Sequence, residues 1–404
     1  MTSPLSKSDV IIVGAGIVGA AVARAYLARF PTHRVVMLEK EAQCAAHQTG
    51  RNSGVIHAGV YYAPGSLKAR YCREGLERTL AYCKAHDLPY EQCGKIIVAT
   101  SPQEEARLET LFTNCEQNDL SPTRLTGQQI RDMEPAITGT AGVFVSHTGI
   151  TDYAAITRHL LHECAQYSGF TLRYDTHVDG IDEQGDAVRC HVSQGGKKHV
   201  LSAENLICCA GLMADTLIRQ QGLPCDFRIL PFRGEYFRLS SRFDGITERL
   251  IYPVPDPAMP FLGVHLTKMI GGYTTVGPNA VLASGREAYN GFALSPSEWW
   301  RSISFPGLYP LLWRFRGAVV NELKTSLSQA AYARQVQKYC PDVTMNDFSP
   351  YRSGIRAQAV RQDGTLMHDF HFVRSERVMH VGNAPSPAAT SAMPIADAIL
   401  AAMF

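Results

Sequence analysis

An α/β fold, α+β over the whole length, follows from three observations on this sequence. A continuous apolar run from Val10 to Val13 leads through Gly14-x-Gly16-x-x-Gly19 into a helical stretch, and "RVVMLEKE" (34–41) follows as a second strand ending at Glu39. Farther on, "FLGVHLTKMIGGYTTVGP" (261–278) alternates on both sides of Gly271-Gly272, a hairpin signal. Finally, 404 residues exceed the usual size of one compact core. Together they predict a Rossmann-like dinucleotide-binding domain with a second lobe built on a mixed or antiparallel sheet.

The strand, glycine turn, helix and second strand form a βαβ dinucleotide unit, and each residue type has a reason. Gly14 makes the tight turn, Gly16 lets backbone N–H groups approach a pyrophosphate at the positive helix end, and Gly19 permits close helix–strand packing. Ile17 and Val18 begin the helix at that anion site. Glu39 lies 20 residues beyond Gly19, where its carboxylate can accept from ribose hydroxyls, and Lys40 follows it. A carboxylate there repels a 2′-phosphate, which argues against NADP; NAD and FAD both remain open at this point.

Composition excludes several classes. Thirty-nine basic and 37 acidic side chains leave a net charge of +2, and the longest Lys/Arg run is the pair in "GGKKH", so no nucleic-acid footprint is present. The 11 cysteines are scattered without a C-x-x-C pair, which fits neither a disulfide framework nor a metal site and points to a reducing, cytoplasmic setting. The apolar stretch 10–23 is too short to span a bilayer and carries its three glycines at fold-specific offsets rather than a cleavage pattern.

Four further stretches carry a resemblance: "GRNSGVIHAGVYYAPGSLKAR" (50–70), "PFRGEYF" (231–237), "YPVPDPAMPFLGVHLT" (252–267) with "VGPNAVLA" (276–283), and "GIRAQ" (354–358) with "NAPSPAATS" (383–391). They resemble the FAD-dependent oxidoreductases of the D-amino-acid oxidase superfamily, and within it are most similar to the L-2-hydroxyglutarate dehydrogenase (oxidase) family. The resemblance implies a non-covalent FAD that takes a hydride at N5 from C2 of L-2-hydroxyglutarate, giving 2-oxoglutarate, with electrons passed to a quinone or oxygen. It also implies a discontinuous FAD domain, about 1–85, 150–225 and 350–404, and a substrate lobe, about 86–149 and 226–349. Further cofactor positions follow: Arg51, Asn52 and Ser53 in the turn after the βαβ unit, Val178 in "RYDTHVDGID" (173–182), which reads as one strand passing the adenine, and Ala210 and Gly211 after the strand in "AENLICCAGLMAD" (203–215). The turn Asn383, Ala384, Pro385, Ser386, Pro387 and Ala388 would offer backbone N–H groups to the flavin. Pro394 sets the start of the last helix nearer Met393 than Pro387.

Oxidising a 2-hydroxy acid needs a base for the hydroxyl proton and cations for the carboxylates. His57 leads as the base, followed by the small residues Ala58 and Gly59 that let substrate approach, and His265, on the strand 261–270, is the second candidate. Arg356 matches a position that pairs with substrate carboxylate in related flavoenzymes, a fork-shaped task suited to guanidinium; an ion pair within the FAD domain is the alternative. Arg233 is a candidate for a second carboxylate or for shaping the lobe junction, and Tyr252 and Lys268 are outside candidates. An amino-acid or amine oxidase of the same superfamily is the alternative activity; an NAD-dependent dehydrogenase and a non-catalytic flavin subunit are more distant ones.

One stretch stands apart. "SEWWRSISFPGLYPLLWRFRG" (297–317) holds all three tryptophans with Arg301, Arg314 and Arg316. Interleaved aromatic and basic residues suit a peripheral membrane contact, which would make a membrane quinone the electron acceptor. The reading preferred from sequence is a core-facing segment with solvated arginines.

Overall fold

A computed structural model describes residues 7–256, 262–289 and 295–404. Within the 252–267 stretch singled out above, residues 257–261 lie outside the described residues. The chain divides into two compact units: Met1–Gly50, Tyr153–Leu230 and Ala357–Phe404 form the first, Arg51–Asp152 and Pro231–Arg356 the second.

In the first unit, β1 (Ser8–Val13), α1 (Ile17–Arg29) and β2 (Val35–Leu38) build the expected βαβ unit. β1 runs parallel to β2 on one side and to strand Lys197–Cys208 on the other, with Ile11 opposite Val36 and Leu206. Strands Phe170–Arg173 and Val378–Asn383 extend the parallel sheet outward. Such a sheet is covered on both faces, which is why Val10, Ile11 and Ile12 are all fully buried instead of alternating. α1 packs against helix Tyr153–Cys164 and the C-terminal helix Ala392–Met403, with Ala20, Ala21, Val22 and Ala23 buried along its length.

The stretch 173–182 is not one strand. Asp175 adopts a left-handed backbone, φ +51°, and divides it between Phe170–Arg173, parallel to β2, and Thr176–Gln184, which begins an antiparallel meander with Ala187–Gln194 and Lys197–Cys208. An aspartate tolerates that conformation better than most side chains, so the break is local and cheap.

The second unit is organised on a mixed sheet. Its strand order is Phe348–Pro350, Phe237–Leu239, Thr274–Gly277, His265–Lys268, Leu250–Pro253, Lys95–Ala99, Ala141–Val145, Thr123–Thr126. We label Lys95–Ala99 β3, Leu250–Pro253 β4 and His265–Lys268 β5. Only β3 and β4 pair in parallel; the other neighbours are antiparallel. The predicted hairpin is present, β5 returning as Thr274–Gly277 through Gly271 (φ +102°) and Gly272 (φ +84°). Every residue of β3 is buried, with apolar clusters packed on both sides of the sheet.

Candidate active site

The first unit carries a cradle shaped for a dinucleotide. Gly14 has φ +98°, and a Cβ there would lie 2.5 Å from the Cys209 carbonyl oxygen; a Cβ on Gly19 would lie 2.0 Å from the Gly14 oxygen. Both positions therefore exclude any side chain. Gly16, the N-cap of α1, offers no side-chain cap, and no acidic residue occupies the first turn. The positive end of α1 is thus left without a carboxylate of its own, the arrangement that suits a phosphate. The Ile17 N–H donates to Thr49 Oγ1 at 3.0 Å.

Glu39, 8% exposed, stands at the end of β2. Its Oε2 accepts from Ala15 N at 2.8 Å and its Oε1 from Glu41 N at 3.0 Å. A carboxylate has about four acceptor sites, so capacity for ribose hydroxyls remains after the loop is fixed. Lys40 pairs with Glu41 at 3.3 Å. Val178 is buried beside a bulge between Val178 and Gly180. Ala210 precedes Gly211, whose φ of +54° opens a single helical turn ahead of helix Ala214–Gln220. Asn383 ends its strand with its side-chain amide donating to the carbonyls of Met367 and Asp369, so its side chain anchors a loop while its backbone leads into 384–388. The last helix starts at Ala392 from Ser391, again without a capping side chain or an acidic first turn.

Arg51, Asn52 and Ser53 open the second unit. The Arg51 guanidinium lies over the Tyr289 ring at 4.0 Å and donates to Ser353 O at 3.4 Å; Asn52 Oδ1 accepts from Gly54 N at 2.8 Å.

The second unit gathers the residues suited to proton transfer. His265 on β5 is 3% exposed, its ring stacked on Tyr252 of β4 with centroids 3.8 Å apart. Its Nδ1 lies 2.9 Å from the Gly263 carbonyl oxygen. A carbonyl only accepts, so Nδ1 carries the proton, and in the neutral ring Nε2 presents a lone pair. Lys95, the first residue of β3, is 1% exposed and places Nζ 4.0 Å from the Tyr252 ring centroid and 5.3 Å from that of Tyr61. Burial and the charge of Lys95 disfavour the protonated form of both imidazoles. His57 is held well below the usual histidine range by loss of water first, then by the charge of Lys95, by competition with His265 for a proton, and by the charge of Arg356. His265 is pushed down to about 3 by the same burial, against the help of its hydrogen bond to Gly263. Burial also lowers Lys95, to about 8.

Of the expected residues, His57, His265, Tyr252 and Arg356 thus act on one another within the second unit. Arg233 is engaged elsewhere: its guanidinium pairs with Glu235 at 2.7 Å, and Glu235 also takes the Asn279 amide. Lys268 pairs with Glu91 at 2.6 Å. Two members of the cluster, Lys95 and Tyr61, carried no signal in the sequence, where a lysine before "IIVA" reads as a solvated strand end.

The family model described as FAD dependent oxidoreductase matches residues 9–402. The chain belongs to the FAD-dependent oxidoreductase family. Among the relatives of this oxidoreductase, a protein of Escherichia coli (strain K12) named L-2-hydroxyglutarate dehydrogenase is 46% identical over 96% of this chain and 91% of its own. The human mitochondrial protein of the same name is 38% identical over 98% and 88%. Solved structures share the fold at lower identity. The FAD-bound L-α-glycerophosphate oxidase of Mycoplasma pneumoniae gives a TM-score of 0.78 at 20% identity, covering 98% of this chain and 94% of that one. Glycine oxidase of Geobacillus kaustophilus gives 0.73 at 17%, with the same coverage. FAD is the cofactor of the oxidoreductase family, and the residues present fit it: side-chain-free turns, an uncompensated helix end, and a carboxylate with spare acceptor sites.

Proposed function

We propose that this flavoprotein oxidises L-2-hydroxyglutarate to 2-oxoglutarate. The observation that carries the reading is a buried histidine with a fixed free nitrogen: His265 commits Nδ1 to the Gly263 carbonyl and stacks on Tyr252, in the same unit as His57 and Arg356, and burial disfavours the protonated form of both imidazoles. A hydroxy acid needs that combination, a cation for a carboxylate and an unprotonated acceptor for its hydroxyl. Near full-length identity to proteins named for this substrate supports the same choice.

His57, partly exposed, takes the C2 hydroxyl proton as the carbonyl forms. Bound FAD supplies the acceptor for the C2 hydride. His265, with Nδ1–H committed to Gly263, offers Nε2 as a fixed acceptor that orients the hydroxyl. Arg356 holds a carboxylate through its planar fork. Negative charge arriving with the substrate raises the basicity of both imidazoles when it is needed. Gly14, Gly16, Ile17, Val18, Gly19, Glu39, Lys40 and the 383–388 turn are the proposed cofactor contacts, with Arg51–Ser53, Val178, Ala210 and Gly211. The test is anaerobic addition of L-2-hydroxyglutarate, its D enantiomer and L-lactate to the FAD-loaded protein. Loss of oxidised flavin absorbance with the L five-carbon acid alone is expected; a protein that none of the three bleaches, but that amino acids added next do, would replace the reading with an amine oxidase.

A second proposal concerns the electron acceptor. The structure corrects the core-facing reading of 297–317: Phe305, Leu308 and Leu311 are buried, but Trp299, Trp300 and Trp313 are 40%, 67% and 72% exposed. Tyr309, Arg301, Arg314 and Arg316 are exposed with them. Among the described residues no helix is long and apolar enough to cross a membrane. We propose that this face meets an anionic lipid surface, where a quinone takes the electrons. Co-sedimentation with phosphatidylglycerol vesicles should be lost in Trp300→Ser/Trp313→Ser; equal sedimentation of the variant would refute it.

A further inference from the structure

Lys95 is the buried charge for which the chemistry above gives only an indirect use. It begins β3 at 1% exposure, opposite Leu250 and Val145 on the neighbouring strands, and is followed by four fully buried residues. The titrating groups acting on it are the thiols of Cys72, Cys93 and Cys115, with no carboxylate among them in the described residues. Its ammonium faces the rings of Tyr252 and Tyr61 instead. Two ring faces offset only part of the loss of water around a buried ammonium. The Tyr61 hydroxyl is likewise sealed from solvent, with no hydrogen-bond partner among the described residues. Buried polar groups normally have partners, so a buried ammonium set against two ring faces, with the hydroxyl of one of those rings lacking an acceptor among the described residues, calls for an anionic ligand. Among all charges acting on His57, that of Lys95 acts most strongly, and it is also felt at His265.

We propose that Lys95 is a specificity-determining residue: with the Tyr61 hydroxyl it receives one carboxylate of the substrate, as the second cation that a dicarboxylate requires beside Arg356. Arg233, the sequence's candidate for that task, already has Glu235 as its counter-ion. The inference deepens the functional reading and rests on it for the identity of the reacting dicarboxylate.

The experiment uses two unreactive five-carbon acids, so that it does not depend on turnover. Glutarate and pentanoate, differing by one carboxylate, are titrated into FAD-loaded wild type and Lys95→Met, and binding is read from the flavin absorbance shift. Wild type should prefer glutarate, and the variant should lose about 30-fold or more of that preference while pentanoate binding is kept. An unchanged preference, or an equal loss for both acids, would overturn the proposal. Should the variant not fold, wild type titrated from pH 7 to 10 gives the answer. Tyr61 and Tyr252 turn their rings to Lys95, and His57, His265, Cys72, Cys93 and Cys115 interact with it electrostatically; of the charges among them the ammonium is the one that favours a second carboxylate. Glutarate preference should therefore fall as Lys95 loses its proton, and a constant preference would refute the assignment. Failure of the functional reading shows separately, as wild-type flavin that L-2-hydroxyglutarate does not bleach.

Discussion

The imidazole of His265 lies nearly parallel to the phenol ring of Tyr252, at 3.8 Å between centroids and 18° between planes. The contact joins β4 to β5 and, with the Nδ1 bond to Gly263, leaves the imidazole no freedom to turn. A histidine so held presents the same nitrogen in every molecule, at the expense of its ability to take a proton.

That expense is measurable as acid sensitivity. Unfolded, His265 binds a proton near its ordinary value of 6.5; folded, only near 3. Between those values the unfolded chain binds more protons, so this contribution to stability is full above about pH 6.5 and lost as pH falls toward 3, by up to about 1.4 kcal/mol per pH unit. Urea unfolding at pH 7, 6, 5 and 4 should show a shallower acid loss for His265→Gln than for wild type. Equal slopes would show that the ring is freely protonated in the folded protein.

Lys95 behaves in the opposite sense. Its pKa is lowered from 10.5 to about 8, so the unfolded chain holds that proton to higher pH than the folded one. The ammonium then destabilises the fold at pH 7 by roughly 3 kcal/mol, and the deficit shrinks between pH 8 and 10.5. Lys95→Met should therefore unfold at higher urea concentration than wild type at pH 7, with the gap closing toward pH 10. A variant less stable at pH 7 would mean that the ammonium contributes to the fold.

For the proton acceptor, His57→Ala should lower kcat by about 10²-fold or more, with FAD content unchanged. His265→Ala should lower it less and should relax the discrimination between L and D enantiomers. The reverse order of effects on kcat would exchange the two roles.

Arg356→Lys retains charge and loses the fork. Stopped-flow reduction should show a higher KM for L-2-hydroxyglutarate and a lower kcat/KM. Wild-type kinetics in the variant would remove Arg356 from the carboxylate clamp.

Gly14→Ala places a methyl group against the Cys209 carbonyl at a left-handed φ of +98°. The purified variant should be largely colourless, or shed its FAD on dilution, as read at the flavin absorbance band. Full FAD retention would show that the turn yields without disturbing the cradle.

How much of this was legible beforehand depended on whether the signal was local. Gly14, Gly16, Gly19 and Glu39 could be read from the chain because the βαβ unit is a short-range object, its geometry dictated by backbone sterics over a few dozen residues. The Gly271-Gly272 hairpin is local in the same way. The break at Asp175 was invisible because it depends on which neighbour each half pairs with, β2 for one and the 187–194 strand for the other. The exposure of Trp300 and Trp313 was misread because aromatic composition does not say which side of a helix meets the core.

The sequence by itself determined the dinucleotide unit, the kinship to flavin oxidoreductases and the histidines proposed to carry the chemistry. Only the tertiary structure decided that Arg233 pairs with Glu235, that His265 keeps its proton on Nδ1, and that Lys95 is buried against Tyr252 with no carboxylate acting on it among the described residues. The physical reason is range: φ preferences and periodicity act between near neighbours, whereas the loss of water around a charge depends on residues 150 or more positions away, as Tyr252 is from Lys95.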